Sequence, residues 1–259
     1  MSKPYYLILL FTIILFFGSC SSKKDVLYIQ DVTNNDSFEN LIEDYLIGHG
    51  DILNIKVIAD NPETLQMFSP SNSTNTQISN QTRETLIYKG YAVDINGFIN
   101  YPYIGRVKVD GLSINATVDL FQSKLVELGI LTNPSVDIKI LNQSFTIIGE
   151  VNNPGKFFFD KNSLTIFEAI GMAGDLTING ERRSIKLIRK MSDEKNHIFN
   201  LDLTNSEFMT SKSFQIFPGD VIIVNPNTTR IKNAGIIGNS GTLLSLLSFL
   251  LSSIIVINR

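Results

Sequence analysis

Apolar and polar positions change rhythm several times along this 259-residue chain. Pro4–Phe17 is nearly all Leu, Ile, Phe and Tyr, whereas Ser21–Asp44 is polar with scattered apolar residues and reads as a tether. In "YLIGHGDILNIKV", Tyr45–Val57, Gly48 and Gly50 mark a turn. Ile52, Leu53, Ile55, Val57 and Ile58 then predict a strand. Asp60–Glu84 is rich in Asn, Ser and Thr and reads as a long exposed loop. "YAVDINGFINYPYIGRVKVDGLS", Tyr91–Ser113, predicts a hairpin turning at Asn96-Gly97, followed by a short strand at Arg106–Val109. Val118, Phe121, Leu125 and Leu128 lie on one face of a helix, with Ser113 or Asn115 at its start and Gly129 at its stop. Pro134–Leu141 alternates as a strand does.

The same grammar then repeats. Ser144–Asp160 reads as strand, Asn-Pro-Gly turn, strand. Ser163–Gly174 is a capped helix that begins at Ser163 or Thr165; Glu168 stands three residues after Thr165, and Gly174 ends the helix. "RRSIKLIRK" and "HIFNLDL" are strand candidates around a charged turn. "FPGDVIIVNP", Phe217–Pro226, echoes the earlier Gly-Asp turn and strand. Ile236–Arg259 differs, being uncharged until its final residue. As one helix, Ile236–Ile257 extends roughly 33 Å, against a hydrocarbon core of about 30 Å. The expected fold class is therefore α+β: two small modules followed by a C-terminal transmembrane helix. Within that run Gly241, Ser245, Ser248 and Ser252 form one stripe of small residues.

Composition narrows the chemistry. Net charge is −3 and no dense basic patch occurs, so nucleic-acid binding is unsupported. The single cysteine, Cys20, permits no internal disulfide. The two histidines, His49 and His197, stand far apart and read as loop and solvated residues; no metal site is expected. Asp51 and Asp220 follow glycine and start strands, where turn-stabilising hydrogen bonds account for them without catalysis. Glu43-Asp44 makes a poor acid/base pair, and "GHG" lacks the residues that complete a phosphate loop. "ERRSIKLIRK" reads as a solvated strand face, with contact to an acidic partner or glycan as the alternative. No catalytic constellation can be assembled, and no cofactor is expected beyond covalent lipid.

That lipid is suggested by "LFFGSCSSKKD", Leu15–Asp25. Lys3 gives a positive start, Pro4–Phe17 is too short to cross a bilayer comfortably, and Gly18-Ser19 supplies small residues before Cys20. The ending resembles the lipobox of bacterial lipoproteins, with Phe17 where Leu is usual. The resemblance implies a signal peptide over 1–19 and acylation of Cys20, and Ser21-Ser22 favours sorting to the outer membrane. An ordinary signal peptide with an incidental thiol is the alternative.

"YLIGHGDILNIKV" with "VDINGFINYPYIGRVKVDGLS" resembles the N-terminal domain of polysaccharide biosynthesis/export proteins. "FTIIGEVNNPGKFFFDKNSLTIFEAIGMAGD" with "IFPGDVIIVNP" is similar to the soluble-ligand-binding β-grasp domain that follows it. His49 stands where that family commonly has Pro, and Asp175 where a second Gly is common. The implied organisation is tether 20–44, export domain 45–141, β-grasp domain 142–226 and membrane helix 236–257. The family resemblance implies an outer-membrane, lipid-anchored homo-oligomeric ring with its bulk in the periplasm. It also implies a polysaccharide substrate and an inner-membrane chain-length-determining copolymerase as partner. On that reading Gly241, Ser245, Ser248 and Ser252 line the pore; a packing seam between helices or a buried soluble helix are the alternatives. The rival function is a lipid-anchored periplasmic glycan-binding module that forms no pore, and an enzyme comes third.

Overall fold

The computed structural model describes residues 26–33, 37–38, 43–58, 83–161, 163–191, 195–228 and 230–231, with 241, 244–245, 248–249 and 252–253 near the C-terminus. Cys20 and most of the predicted 60–84 loop lie outside the described residues.

The first module is built on β1 (Ile52–Ile58), whose side chains alternate between core and solvent. It pairs antiparallel with β5 (Ser135–Ile140) in the register Leu53↔Ile140, Ile55↔Ile138, Val57↔Val136. All six of those side chains are buried, as period-two patterning requires of a sheet with one covered face. A two-residue β2 (Tyr91–Ala92) pairs with the other edge of β1. It follows the short helix α1 (Arg83–Lys89). The helix α2 (Ile114–Glu127) presents Thr117, Phe121 and Leu125 to the core. Its N-cap is Ser113, whose hydroxyl accepts the Ala116 N–H. Leu128, predicted on the apolar face, is the C-cap and is exposed. It sits where the helix ends and Gly129 turns the chain at φ +66.

The hairpin expected around Asn96-Gly97 differs in its pairing. A tight turn does stand there: Gly97 N–H donates to Asp94 O, and Asp94 N–H donates to Phe98 O. Asp94 Oδ1 also accepts the N–H groups of Asn96 and Phe98. The arm before it, however, joins β1. The arm after it, β3 (Phe98–Tyr101), pairs with β4 (Gly105–Lys108). Buried Ile99, Tyr101 and Val107 draw this second hairpin onto the module core.

The second module holds a five-stranded sheet ordered β10-β9-β12-β6-β7. Its strands are β6 (Ser144–Gly149), β7 (Gly155–Phe158), β9 (Gly180–Lys190), β10 (Asn196–Leu201) and β12 (Val221–Pro226). Only the β12–β6 pairing is parallel. Gly149, where those two strands meet, has φ +100, and a Cβ there would lie 2.0 Å from Val224 O. The helix α3 (Ile166–Met172) buries Ile166, Ala169 and Ile170. Thr165 and Glu168 form a reciprocal capping box at its start. Short strands β8 (Leu164–Thr165) and β11 (Gln215–Ile216) pair beside it.

One part of the expected fold class is overturned. Among the described residues no helix is long and apolar enough to cross a membrane, so the C-terminal transmembrane helix is not supported. The expectation rested on the composition of 236–257. A span needs about 20 consecutive, predominantly apolar helical residues. The described helices do not supply such a stretch. Among the described residues the architecture is α+β, with no membrane-spanning helix.

Candidate functional site

Two Gly-Asp turns launch β1 and β12. Gly50 (φ +89) and Gly219 (φ +88) occupy the left-handed region that glycine tolerates best. Asp51 then accepts the Gly48 N–H at 2.9 Å, and Asp220 accepts the Phe217 N–H at 2.8 Å, each three residues back. The echo seen in sequence is thus one local hydrogen-bond pattern used twice. Both carboxylates are buried.

The two turns meet through their aromatic neighbours. Tyr45 donates its hydroxyl to Asp51 Oδ2 (3.0 Å), and its ring lies 6.2 Å from that of Phe217. Burial, reinforced by the Asp51 carboxylate, pushes the Tyr45 pKa up. Burial likewise raises Asp51, against the opposing Gly48 N–H and Tyr45 hydroxyl. Glu43 tightens the junction: its backbone exchanges two 3.0 Å hydrogen bonds with the Gln215 amide, and its carboxylate pairs with Lys212.

Beneath Phe217 the charge is fully enclosed. Arg189 on β9 grips Asp220 with Nε (2.9 Å to Oδ1) and Nη2 (2.6 Å to Oδ2), and both side chains are almost wholly buried. The same guanidinium donates to Lys212 O and Gln215 O and stacks on Phe217 at 4.3 Å. Burial pushes the Asp220 pKa up, opposed by Arg189. The basic stretch read as a solvated strand face is therefore split: Arg183, Lys186 and Lys190 are exposed, while Arg182 and Arg189 are buried.

The segment read as a tether contributes a second constellation. Tyr28 packs edge-on against Phe167 (5.8 Å), lies 5.3 Å from the Arg182 guanidinium and donates its hydroxyl to Asp175 Oδ1 at 2.5 Å. Ile29 and Gln30 donate their N–H groups to Leu203 O and Thr204 O. Asp31 accepts both the N–H and the hydroxyl of Ser206. Asp175 holds φ +75 and Ile29 φ +40, uncommon values for residues carrying a Cβ. No periodicity in 21–44 announced this docking, since its partners lie some 150 positions away.

Of the residues singled out from sequence, His49 and His197 are exposed and belong to neither constellation. Gly241, Ser245, Ser248 and Ser252 are helical and exposed. The Ser248 hydroxyl donates to Leu244 O (2.8 Å) and that of Ser252 to Ser248 O (2.7 Å), so both are satisfied on their own helix. Among the described residues no group of three or more His, Cys, Asp or Glu stands close enough to hold a metal ion. What the geometry builds is a braced pair of modules with a docked N-terminal strap.

Residues 40–141 match the family model for polysaccharide biosynthesis/export protein, and residues 143–224 match that for the SLBB domain. The chain is 28% identical over 189 residues to the EPS I polysaccharide export outer membrane protein EpsA of Ralstonia solanacearum. That alignment covers 70% of this chain and 48% of the relative. It is 31% identical over 149 residues to the protein of the same name from Ralstonia nicotianae (strain ATCC BAA-1114 / GMI1000), covering 56% and 38%. The chain thus spans less than half the length of each of these curated relatives.

Proposed function

The chain belongs to the polysaccharide biosynthesis/export family, and from that premise we propose that it is a subunit of a conduit that exports a capsular or extracellular polysaccharide at the outer membrane. Acyl chains on Cys20 anchor it there, and the two modules stand in the periplasm. Copies assemble into a homo-oligomeric ring above an inner-membrane chain-length-determining copolymerase. In this reading no covalent bond is made or broken on the polysaccharide. The face carrying Gly241, Ser245, Ser248 and Ser252 borders the passage. Small side chains leave it smooth, and hydroxyls bonded to their own helix leave few free donors to trap a sliding glycan.

The observation that carries this reading is the end-to-end succession of two matched models over 40–141 and 143–224. The junction supports it physically. Glu43, Tyr45, Gln215 and Phe217 join the modules through paired hydrogen bonds and ring contact, a rigidity that suits a stacked wall.

The test is detergent extraction of the native protein followed by particle imaging and intact-mass analysis. Rings, with a mass increment on Cys20, are expected. Small particles carrying the same increment would replace the conduit with an anchored glycan-binding module. An unmodified Cys20 would end the lipoprotein reading.

A further inference from the structure

Two separate parts of the chain converge on one corner of the second module. From the N-terminal side, the strap docks through Tyr28 onto Asp175 and beside Arg182. From the C-terminal side, the chain leaving β12 returns to the neighbouring turn. Asn227 donates its N–H to Asn179 O and its Nδ2 to Ile178 O, and Pro226 pairs with Gly180. Arg230 then reaches Glu150, whose other carboxylate oxygen accepts the Thr177 hydroxyl. The 175–179 loop and the start of β9 are therefore held on both sides.

At its tip the loop presents an apolar side chain. Gly180 N–H donates to Thr177 O and closes a turn with Ile178 at its outer position, 65% exposed. Ile95, 80% exposed, holds the equivalent position in the Asp94–Gly97 turn of the first module, so Ile178 and Ile95 are a matched pair that differ in their distance along the chain from the docked strap. Met172, at the end of α3 beside the loop, and Ile231, on the departing chain, are also exposed.

We propose that this corner, with Ile178 at its tip, rests in the headgroup region of a lipid bilayer. Chain length sets the distance. Cys20 precedes Val26 by six positions, a reach of about 20 Å at full extension. With acyl chains on Cys20 in the bilayer, the strap holds the corner within that distance of its surface. Arg183 is exposed near the corner, and Arg230 is held there by Glu150. The strap thereby fixes which module is membrane-proximal and which of its surfaces faces lipid. The inference rests on the acylation of Cys20.

The experiment uses the full chain, acylated in the cell and reconstituted into phosphatidylethanolamine–phosphatidylglycerol vesicles. A second cysteine is introduced by Ile178→Cys, and in separate proteins by Ile95→Cys and Ile198→Cys, and each is labelled with an environment-sensitive fluorophore. Lipid carrying a headgroup-proximal nitroxide is expected to quench the label at 178 severalfold more than at 95 or 198. Tyr28→Ala combined with Asp31→Ala removes the strap's side-chain holds on Asp175 and Ser206 and is expected to reduce quenching at 178 toward that of the other two sites. Intact mass on the same samples reports acylation independently. Equal quenching at the three sites in acylated protein overturns the inference and leaves the anchor standing. Unmodified Cys20 overturns the anchor, and this inference with it. Quenching at 178 that survives the Tyr28→Ala, Asp31→Ala double change undiminished overturns the strap as its cause.

Discussion

Arg189→Met is the most informative single change. The substitution keeps the aliphatic volume of the side chain but removes the donors to Asp220, Lys212 O and Gln215 O. Asp220 is 1% exposed and would retain the Phe217 N–H as a donor to its carboxylate. Removing one partner of a buried pair costs about 3–5 kcal/mol, because the other charge stays in a poorly solvating site. For a chain of this size each kcal/mol moves Tm by about 2–4 °C, so a drop on the order of 10 °C is expected. Calorimetry or denaturant unfolding of residues 26–231 measures it. The double change Arg189→Met with Asp220→Asn removes the stranded charge and should recover at least about 1 kcal/mol of the loss, a typical neutral-for-charged difference. A cost below about 1 kcal/mol for Arg189→Met, typical of an exposed pair, or no recovery in the double variant, refutes the reasoning.

Gly149→Ala places a Cβ 2.0 Å from Val224 O at φ +100, and should destabilise the second module by more than about 2 kcal/mol in denaturant unfolding, with β6–β12 amides losing exchange protection first. Asp51 has a pKa raised by burial above its unfolded value, so the folded state holds its proton more tightly. Its contribution to stability is most favourable below the unfolded pKa and falls as pH rises through the raised folded value. Asp51→Asn should therefore flatten the decline in Tm across that acid window; an unchanged slope would show that Asp51 is not its source. Thr165→Ala breaks the capping box with Glu168 and should cost about 1 kcal/mol, read as a lower unfolding midpoint with an unchanged m-value.

Local chemistry was legible in the sequence wherever it is complete within a few residues. Thr165 and Glu168 make their box across three positions, Asp51 and Asp220 reach back three, and the alternation in 52–58 and 135–140 names the buried face without reference to a partner. Pairing across distance was not legible. The turn at Asn96-Gly97 forms, yet its arms go to different sheets, because burial of Ile99, Tyr101 and Val107 outweighs the ladder a simple hairpin would supply. The stretch "ERRSIKLIRK" looked uniformly solvated, since a basic residue reads as exposed until its partner is known. Asp220 lies 31 positions from Arg189, and Tyr28 comes to Arg182 from the far end of the chain. The membrane helix expected at 236–257 was overturned: composition measures affinity for lipid, whereas a span also requires a long continuous helix, and no described helix is long and apolar enough. Sequence alone thus determined the alternating strands, the two capped core helices and the two Gly-Asp turns, because their patterns and hydrogen bonds close locally. Tertiary structure alone decided the strand order, the buried arginines and the docked strap, because those energies arise only when distant segments exclude water together.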